Sequence, residues 1–365
     1  MPGSRMPNGA ARRQTALRVR FTTDHLQGLI VSGSANIRYL TGFSGSAGLL
    51  LVTESRAVLV TDFRYASQAA AEVGPAAEIR IERSNLWEGV RSAIQSEGLR
   101  RIGVNKARTT LAEMAELEQV QAEWVPTKGL VEELRWSKDR TEIDTVRQAA
   151  SLAAEALSEI LPMVRPGRTE IDVAASLEFA LRSRGSEWHP FQPIVASGAR
   201  SALPHARASC KVIGQGDLLV IDFGAQVEGY CSDITRTFVV GQRADLRQRE
   251  IYELVRRAQS RAIAGIRAGM TGKDADSLAR ELIAREGHGD AFGHSLGHGL
   301  GLEVHEAPRL SQLNENPLPD RAVVTVEPGV YLEGWGGVRI EDDVVVSTGG
   351  AEYLSDGLTE LVELT

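Results

Sequence analysis

Five residues in the carboxyl half of the sequence have the types and spacing to hold cations: Asp222, Asp233, His298, Glu327 and Glu341. Asp222 ends the run Leu218-Leu219-Val220-Ile221, which reads as a fully buried strand. A carboxylate in that place loses its hydration and needs a metal or a basic partner. Gln226 to Gly229 supply turn residues, and Tyr230 to Phe238 reads as the returning strand. A hairpin centred between Val227 and Glu228 sets Asp222 opposite Asp233, two acids that repel unless a cation lies between them. The pattern recurs downstream: Val323 to Val326 leads into Glu327-Pro328-Gly329, and Val338-Arg339-Ile340-Glu341 returns.

Nitrogen ligands come from the segment His294-Ser295-Leu296-Gly297-His298-Gly299-Leu300-Gly301-Leu302-Glu303-Val304-His305. Its glycines disfavour a helix and allow a tight backbone path that brings His298 close to an ion. Four of the seven histidines, His205, His294, His298 and His305, fall among these motifs. Arg339 lies on the same strand face as Glu341 and can neutralise one acid without any metal. One arginine cannot balance four converging carboxylates. Four carboxylates and an imidazole make a hard, oxygen-rich site that matches two divalent ions. It favours manganese or cobalt over a closed structural zinc site. A pair of ions of this kind activates water, so the implied chemistry is hydrolysis.

The elements that must position these groups repeat. Arg165/Arg267, His205/His305, Asp222/Glu327 and Asp233/Glu341 stand at offsets of between 100 and 108 residues. Thr169 and Thr271 each read as the N-cap of a helix ending near Gly185 or Gly287, followed by a histidine, an apolar strand and an acid. Two such units folded about a pseudo-two-fold axis bring all four acids to the centre. Upstream, a long amphipathic helix is expected over Ser137 to Met163, with Ile143, Val146, Ala150, Ala153, Leu157 and Ile160 on one face.

The amino half alternates strand-like runs at Gly28–Val31, Ala47–Val52, Ala57–Thr61 and Arg101–Val104 with helical ones at Phe63–Val73 and Leu86–Gln95. It reads as an α/β domain. The domain plan is a flexible tail over residues 1–14, an amino-terminal domain over 15–134 and a catalytic domain over 135–365. Pro2, Gly3, Pro7 and Gly9 argue against a helix in the arginine-rich tail.

Composition narrows the function class. The chain has 365 residues, 42% of them apolar, with a net charge of -7. That balance gives no reason to expect nucleic-acid or membrane binding, and no apolar run approaches the roughly 20 residues of a membrane span. Two cysteines cannot build a disulfide framework, which fits a cytoplasmic protein. Cys231, two residues from Asp233, lacks a second thiol at zinc-site spacing and reads as a packing residue.

Taken together, Asp222-Phe223-Gly224, Gly229 to Arg236, the His294–His305 segment, Glu327-Pro328-Gly329 and Gly337 to Asp342 resemble the pita-bread metallopeptidases. Asn36 to Phe43 and Thr61 to Tyr65 resemble the additional domain that aminopeptidase P and prolidase carry and methionine aminopeptidase lacks. Creatinase shares that domain but not the metal ligands. The resemblance implies a creatinase-like α/β domain followed by a pita-bread domain (α+β), with two metal ions, manganese first and cobalt or zinc as alternatives. It implies hydrolysis of the Xaa-Pro bond of dipeptides or short peptides.

By the same resemblance Glu327 is the general base, and His294 and His305 contact the substrate carbonyl. His205 lines the proline pocket, and Arg339 orients an acid. His305-Glu306-Ala307-Pro308-Arg309 resembles prolidases, in which the matching arginine clamps a dipeptide's free carboxylate, so a dipeptidase is favoured over an aminopeptidase P acting on longer peptides. Relatives of this type are commonly homodimers. The competing expectation is a pita-bread protein that has lost catalysis and binds peptides or proteins.

Overall fold

The computed structural model describes residues 7–355 and 360–365, and the chain divides between Arg135 and Trp136 into two compact units.

The first unit is built on six strands: β1 (Gly28–Val31), β2 (Leu49–Thr53), β3 (Ala57–Asp62), β4 (Glu78–Glu82), β5 (Arg101–Asn105) and β6 (Glu123–Thr127), in the order β4-β3-β2-β1-β5-β6. The central strands β1 to β3 pair antiparallel and the outer ones join in parallel. Leu50, Leu51, Val58, Leu59 and Val60 are wholly buried, as continuous apolar runs flanked by helices require. Helices α1 (Pro7–Asp24), α2 (Ser34–Thr41), α3 (Ala66–Glu72), α4 (Leu86–Glu97), α5 (Leu111–Leu117) and α6 (Glu132–Arg135) complete the unit.

Helix α1 corrects the expectation of a flexible tail for residues 7–14; residues 1–6 lie outside the described residues. A proline at the first position of a helix costs no hydrogen bond, and the roughly 1 kcal/mol penalty of a glycine is outweighed by packing. Ala10, Leu17 and Phe21 are buried. Gln14 Nε2 donates to the carbonyls of Leu40 (2.9 Å) and Ala76 (2.7 Å), and Arg13 lies over the Tyr39 ring.

The second unit contains one arrangement twice. Helices α7 (Arg140–Ile160) and α8 (Glu170–Ser183) precede the antiparallel strands β7 (Ile194–Ser197), β8 (Leu218–Phe223) and β11 (Ile234–Val240). Helices α9 (Leu246–Gly265) and α10 (Gly272–Arg285) precede β12 (Gly297–Gly299), β14 (Ala322–Val326) and β17 (Asp342–Ser347), again antiparallel. A small hairpin interrupts each: β9 (Gln226–Val227) with β10 (Tyr230–Cys231), and β15 (Gly329–Leu332) with β16 (Gly336–Arg339). Strands β13 (Glu306–Leu310) and β18 (Gly350–Tyr353) flank the second sheet, and β19 (Val362–Leu364) edges the first.

Local chemistry fixes these elements. Helix α7 starts at Arg140 rather than Ser137 because Asp139 and Glu142 close a capping box. Its Val146, Ala150, Ala153, Leu157 and Ile160 are buried on the expected face. Thr169 and Thr271 accept from Asp172 N and Asp274 N, opening α8 and α10. The left-handed residues Gly185 (φ 104) and Gly287 (φ 85) follow the helix ends.

Candidate active site

The two acid hairpins differ in register. Strands β8 and β11 pair Asp222 with Thr235 and Phe223 with Ile234, so Asp222 does not face Asp233 as the sequence suggests. The turn is centred one residue later, on Glu228 (φ 46) and Gly229 (φ 77). A two-residue turn with both central residues left-handed favours glycine at its second position, which places it on Glu228-Gly229. Asp233 therefore sits two residues before Thr235, just outside the strand, with its side chain on the same face. The second hairpin follows the expected pairing. Val326 pairs with Asp342 and Gly329 with Arg339, which leaves Glu327 opposite Glu341. The halves join where Thr235 and Glu341 bridge, with Thr235 Oγ1 donating to Glu341 Oε2 at 2.5 Å.

His298 arrives on β12, wedged between β13 and β14. A Cβ on Gly297 would stand 2.0 Å from Thr325 O and one on Gly299 would stand 2.3 Å from Ala307 O, so only glycines allow this approach. His298 Nδ1 lies 3.1 Å from Gly299 O; since a carbonyl only accepts, Nδ1 carries the proton and Nε2 presents a lone pair. That Nε2 is 3.6 Å from Asp233 Oδ2 and 3.5 Å from Glu327 Oε1. Asp233, His298 and Glu341 each offer a ligand atom within 4.8 Å of the others.

These groups line a cavity of about 700 Å³ together with Asp222, Glu327, Arg339, His205, His294, His305 and Arg309. All ten sequence-predicted site residues thus meet in one place. Phe191, Ile194 and Val304 add apolar wall, and Gln192 a polar amide, that the motifs do not single out.

The cavity is electrostatically incomplete as protein alone. Burial and the neighbouring acids push the Asp233 and Glu341 carboxyls well above the usual carboxylate range. Burial also pushes Glu327 up to about 8, against the pull of Arg339. His298 is held down to about 4 by burial and stays neutral, the form that ligates metals. Asp222 Oδ1 and Asp233 Oδ1 are buried with no hydrogen-bond partner. Crowded buried carboxylates, orphaned lone pairs and a neutral imidazole fit hard divalent cations. Cys231 is buried with its thiol pushed up to about 12 by burial, as a packing residue should be.

Arg339 does bind an acid, and it is Asp222: Nη2 to Oδ2 is 2.6 Å. The same guanidinium donates to Tyr331 OH at 2.8 Å, and Tyr331 OH lies 2.9 Å from His294 Nε2. His294 Nδ1 lies 2.8 Å from the Ser295 carbonyl, so the neutral ring carries its proton there and accepts from Tyr331. Both ring nitrogens of His294 already have partners, and a substrate carbonyl would have to exchange with one of them. Tyr331 is a site residue that the motifs leave unmarked. Its signal is position, four residues beyond Glu327 along an alternating strand. His205 and His305 are exposed at the cavity, the latter with its ring 4.4 Å from that of His298.

Comparison with known proteins gives the family. The profile of metallopeptidase family M24 matches residues 144–348, and that of the creatinase/prolidase N-terminal domain matches residues 13–136. The chain is 46% identical to the uncharacterized peptidase YqhT of Bacillus subtilis over 93% of this chain and 96% of that one. It resembles the solved Xaa-Pro dipeptidase of Bacillus anthracis with a TM-score of 0.93 and 42% identity, covering 97% of this chain and 99% of the other. The X-Pro aminopeptidase of Thermotoga maritima gives 0.88 and 39%, over 93% and 98%. Family, fold and site chemistry converge: the chain belongs to metallopeptidase family M24 and is a metal-dependent peptidase with a creatinase/prolidase type of amino-terminal domain.

Proposed function

We propose that the protein hydrolyses the Xaa-Pro bond at the amino terminus of dipeptides, and less readily of short peptides, with two divalent ions held by Asp222, Asp233, His298, Glu327 and Glu341. The observation that carries this reading is the cavity in which those five groups meet His205, His294, His305, Arg309 and Arg339. The likeness to a solved Xaa-Pro dipeptidase supports the substrate class.

Ions in that place would supply an acidified water and a polarised substrate carbonyl. The protein's groups do the rest. Glu327 takes the proton of the attacking water and delivers it to the departing proline nitrogen, which has no N–H of its own in the substrate. His305, and His294 once its N–H exchanges the Ser295 carbonyl for substrate, meet the carbonyl oxygen as it gains charge, and Arg339 holds Asp222 in orientation. His205 bounds the space for the proline ring. Arg309, exposed on β13, is the cation for a dipeptide's free carboxylate. Manganese is the ion this reading favours, in a cytoplasmic homodimer that acts on neither nucleic acid nor membrane.

The deciding assay sets metal-reconstituted protein against Ala-Pro and Ala-Pro-Ala with manganese, cobalt and zinc in turn. Cleavage of neither peptide would end the proposal. Faster cleavage of the tripeptide would favour the aminopeptidase reading, which the likeness to the Thermotoga enzyme supports.

A further inference from the structure

His294 sits in a stretch, Phe292 to Leu296, with no regular secondary structure and an unencumbered glycine at Gly293. Its main chain is nevertheless held at alternate residues by one ion pair on α10. Asp276, wholly buried, and Arg280, one turn later, form a two-pronged bridge: Nε to Oδ2 is 2.6 Å and Nη2 to Oδ1 is 2.9 Å. Arg280 donates from Nη1 to Phe292 O at 2.7 Å and from Nη2 to His294 O at 2.6 Å. Asp276 Oδ1 accepts from Leu296 N at 2.9 Å. The guanidinium also lies 4.2 Å over the Phe292 ring, whose partner in an edge-on contact is the His294 ring at 5.1 Å.

Neither Asp276 nor Arg280 lines the cavity. Buried ion pairs contribute little net stability, so the yield of this one is geometric. The planar Arg280 fork fixes two main-chain carbonyls and its Asp276 partner fixes one main-chain N–H, three groups that bracket one imidazole. With residues 292, 294 and 296 fixed, the His294 ring is confined to the space between Ser295 O and Tyr331 OH.

We propose that Asp276 and Arg280 are a positioning pair for His294, acting on hydrolysis through the placement of that imidazole and without touching substrate. The proposal rests on the Xaa-Pro peptidase reading for what His294 does, but not for where His294 is held.

The experiment compares wild type, Arg280→Met, Arg280→Lys, His294→Ala and the Arg280→Met/His294→Ala double variant, all metal-loaded. In the otherwise wild-type chain Arg280→Met should lower kcat on Ala-Pro by about 10- to 100-fold with KM within about threefold, as small misplacements of a working group do. In the His294→Ala background the same change should cost less than about twofold, since the group it positions is gone. Equal losses in both backgrounds would overturn the proposal. Should Arg280→Met fail to fold, Arg280→Lys, which keeps the charge and loses the fork, takes its place in the cycle with the same criteria. A second measurement needs no turnover: in zinc-loaded, ¹⁵N-histidine-labelled protein the His294 ring signals, identified by their absence from His294→Ala, should shift in the Arg280 variant while those of His205 stay. Unmoved His294 signals would also overturn it. If wild type cleaves no Xaa-Pro peptide, the functional reading fails while the ring signals still decide the positioning.

Discussion

Arg339 Nη2 and Asp222 Oδ2 lie 2.6 Å apart in the interior, so one of the four converging acids has a protein cation of its own. Removing that cation leaves a buried charge uncompensated. Arg339→Met should therefore destabilise the metal-free protein by about 3 kcal/mol. Ions at Asp222 would make good part of the deficit, so the loss measured by denaturant unfolding should be smaller in metal-loaded protein. An equal loss in both states would separate Asp222 from the metal set.

The raised carboxyls set a pH dependence. Asp233 and Glu341 are pushed up by burial, and Glu327 to about 8, from unfolded values of about 4. Between those values the folded metal-free chain binds more protons than the unfolded one, so its stability falls as pH rises. The melting-temperature gap between metal-loaded and chelated protein should widen from about pH 6 to about pH 8. A gap that is constant or narrows would contradict the assignment of these acids as ligands.

Tyr331 joins Arg339 to His294 by bonds of 2.8 and 2.9 Å. Tyr331→Phe keeps the ring packing and removes both bonds. Stability should change by only about 1 kcal/mol, while kcat falls by about tenfold or more with little change in KM. Steady-state kinetics beside a thermal melt checks the split.

Gly297 has no room for a side chain, since a methyl group there would stand only 2.0 Å from Thr325 O. Gly297→Ala should displace β12 from β14, cost about 1–3 kcal/mol as other overpacking does, and lower bound metal as His298 moves. Metal analysis of the folded variant reads the second effect directly.

Arg309→Ala should weaken hydrolysis of Ala-Pro more than that of Ala-Pro-Ala, because only the dipeptide places a free carboxylate beside the proline. Charged hydrogen bonds of about 1.5–3 kcal/mol correspond to a roughly 10- to 100-fold difference in kcat/KM. Equal losses on both peptides would remove the clamp.

Much of this was legible in the residues alone. Acids at the ends of apolar strands, glycines around His298 and the recurrence of Thr169 in Thr271 are local signals, and the structure brings the acids and His298 into one cavity. The amino-terminal strands β1, β3 and β5 also stand where the apolar runs are. What escaped depends on geometry that no local pattern carries. The Asp222 register hinges on which dipeptide turns, and Val227-Glu228 and Glu228-Gly229 differ by one residue. Helix α1 looks like a tail because its favourable term is tertiary, the burial of Leu17 and Phe21. Strand β4 is mostly charged and only half-buried, so it reads as surface. Asp276 and Arg280 look like an ordinary intrahelical pair until the chain returns with Phe292 and His294.

The bridge between Thr235 and Glu341 has a consequence for how the protein comes to be active. Each half of the duplicated unit brings two acids and only the second brings His298, so the proposed pair of ions would need ligands from both. Loading on that ligand set would thus be a coincidence test, met only when both halves have folded and docked. On the proposed ligand set, a chain whose second half is unfolded would hold no pair of ions and so would hydrolyse nothing.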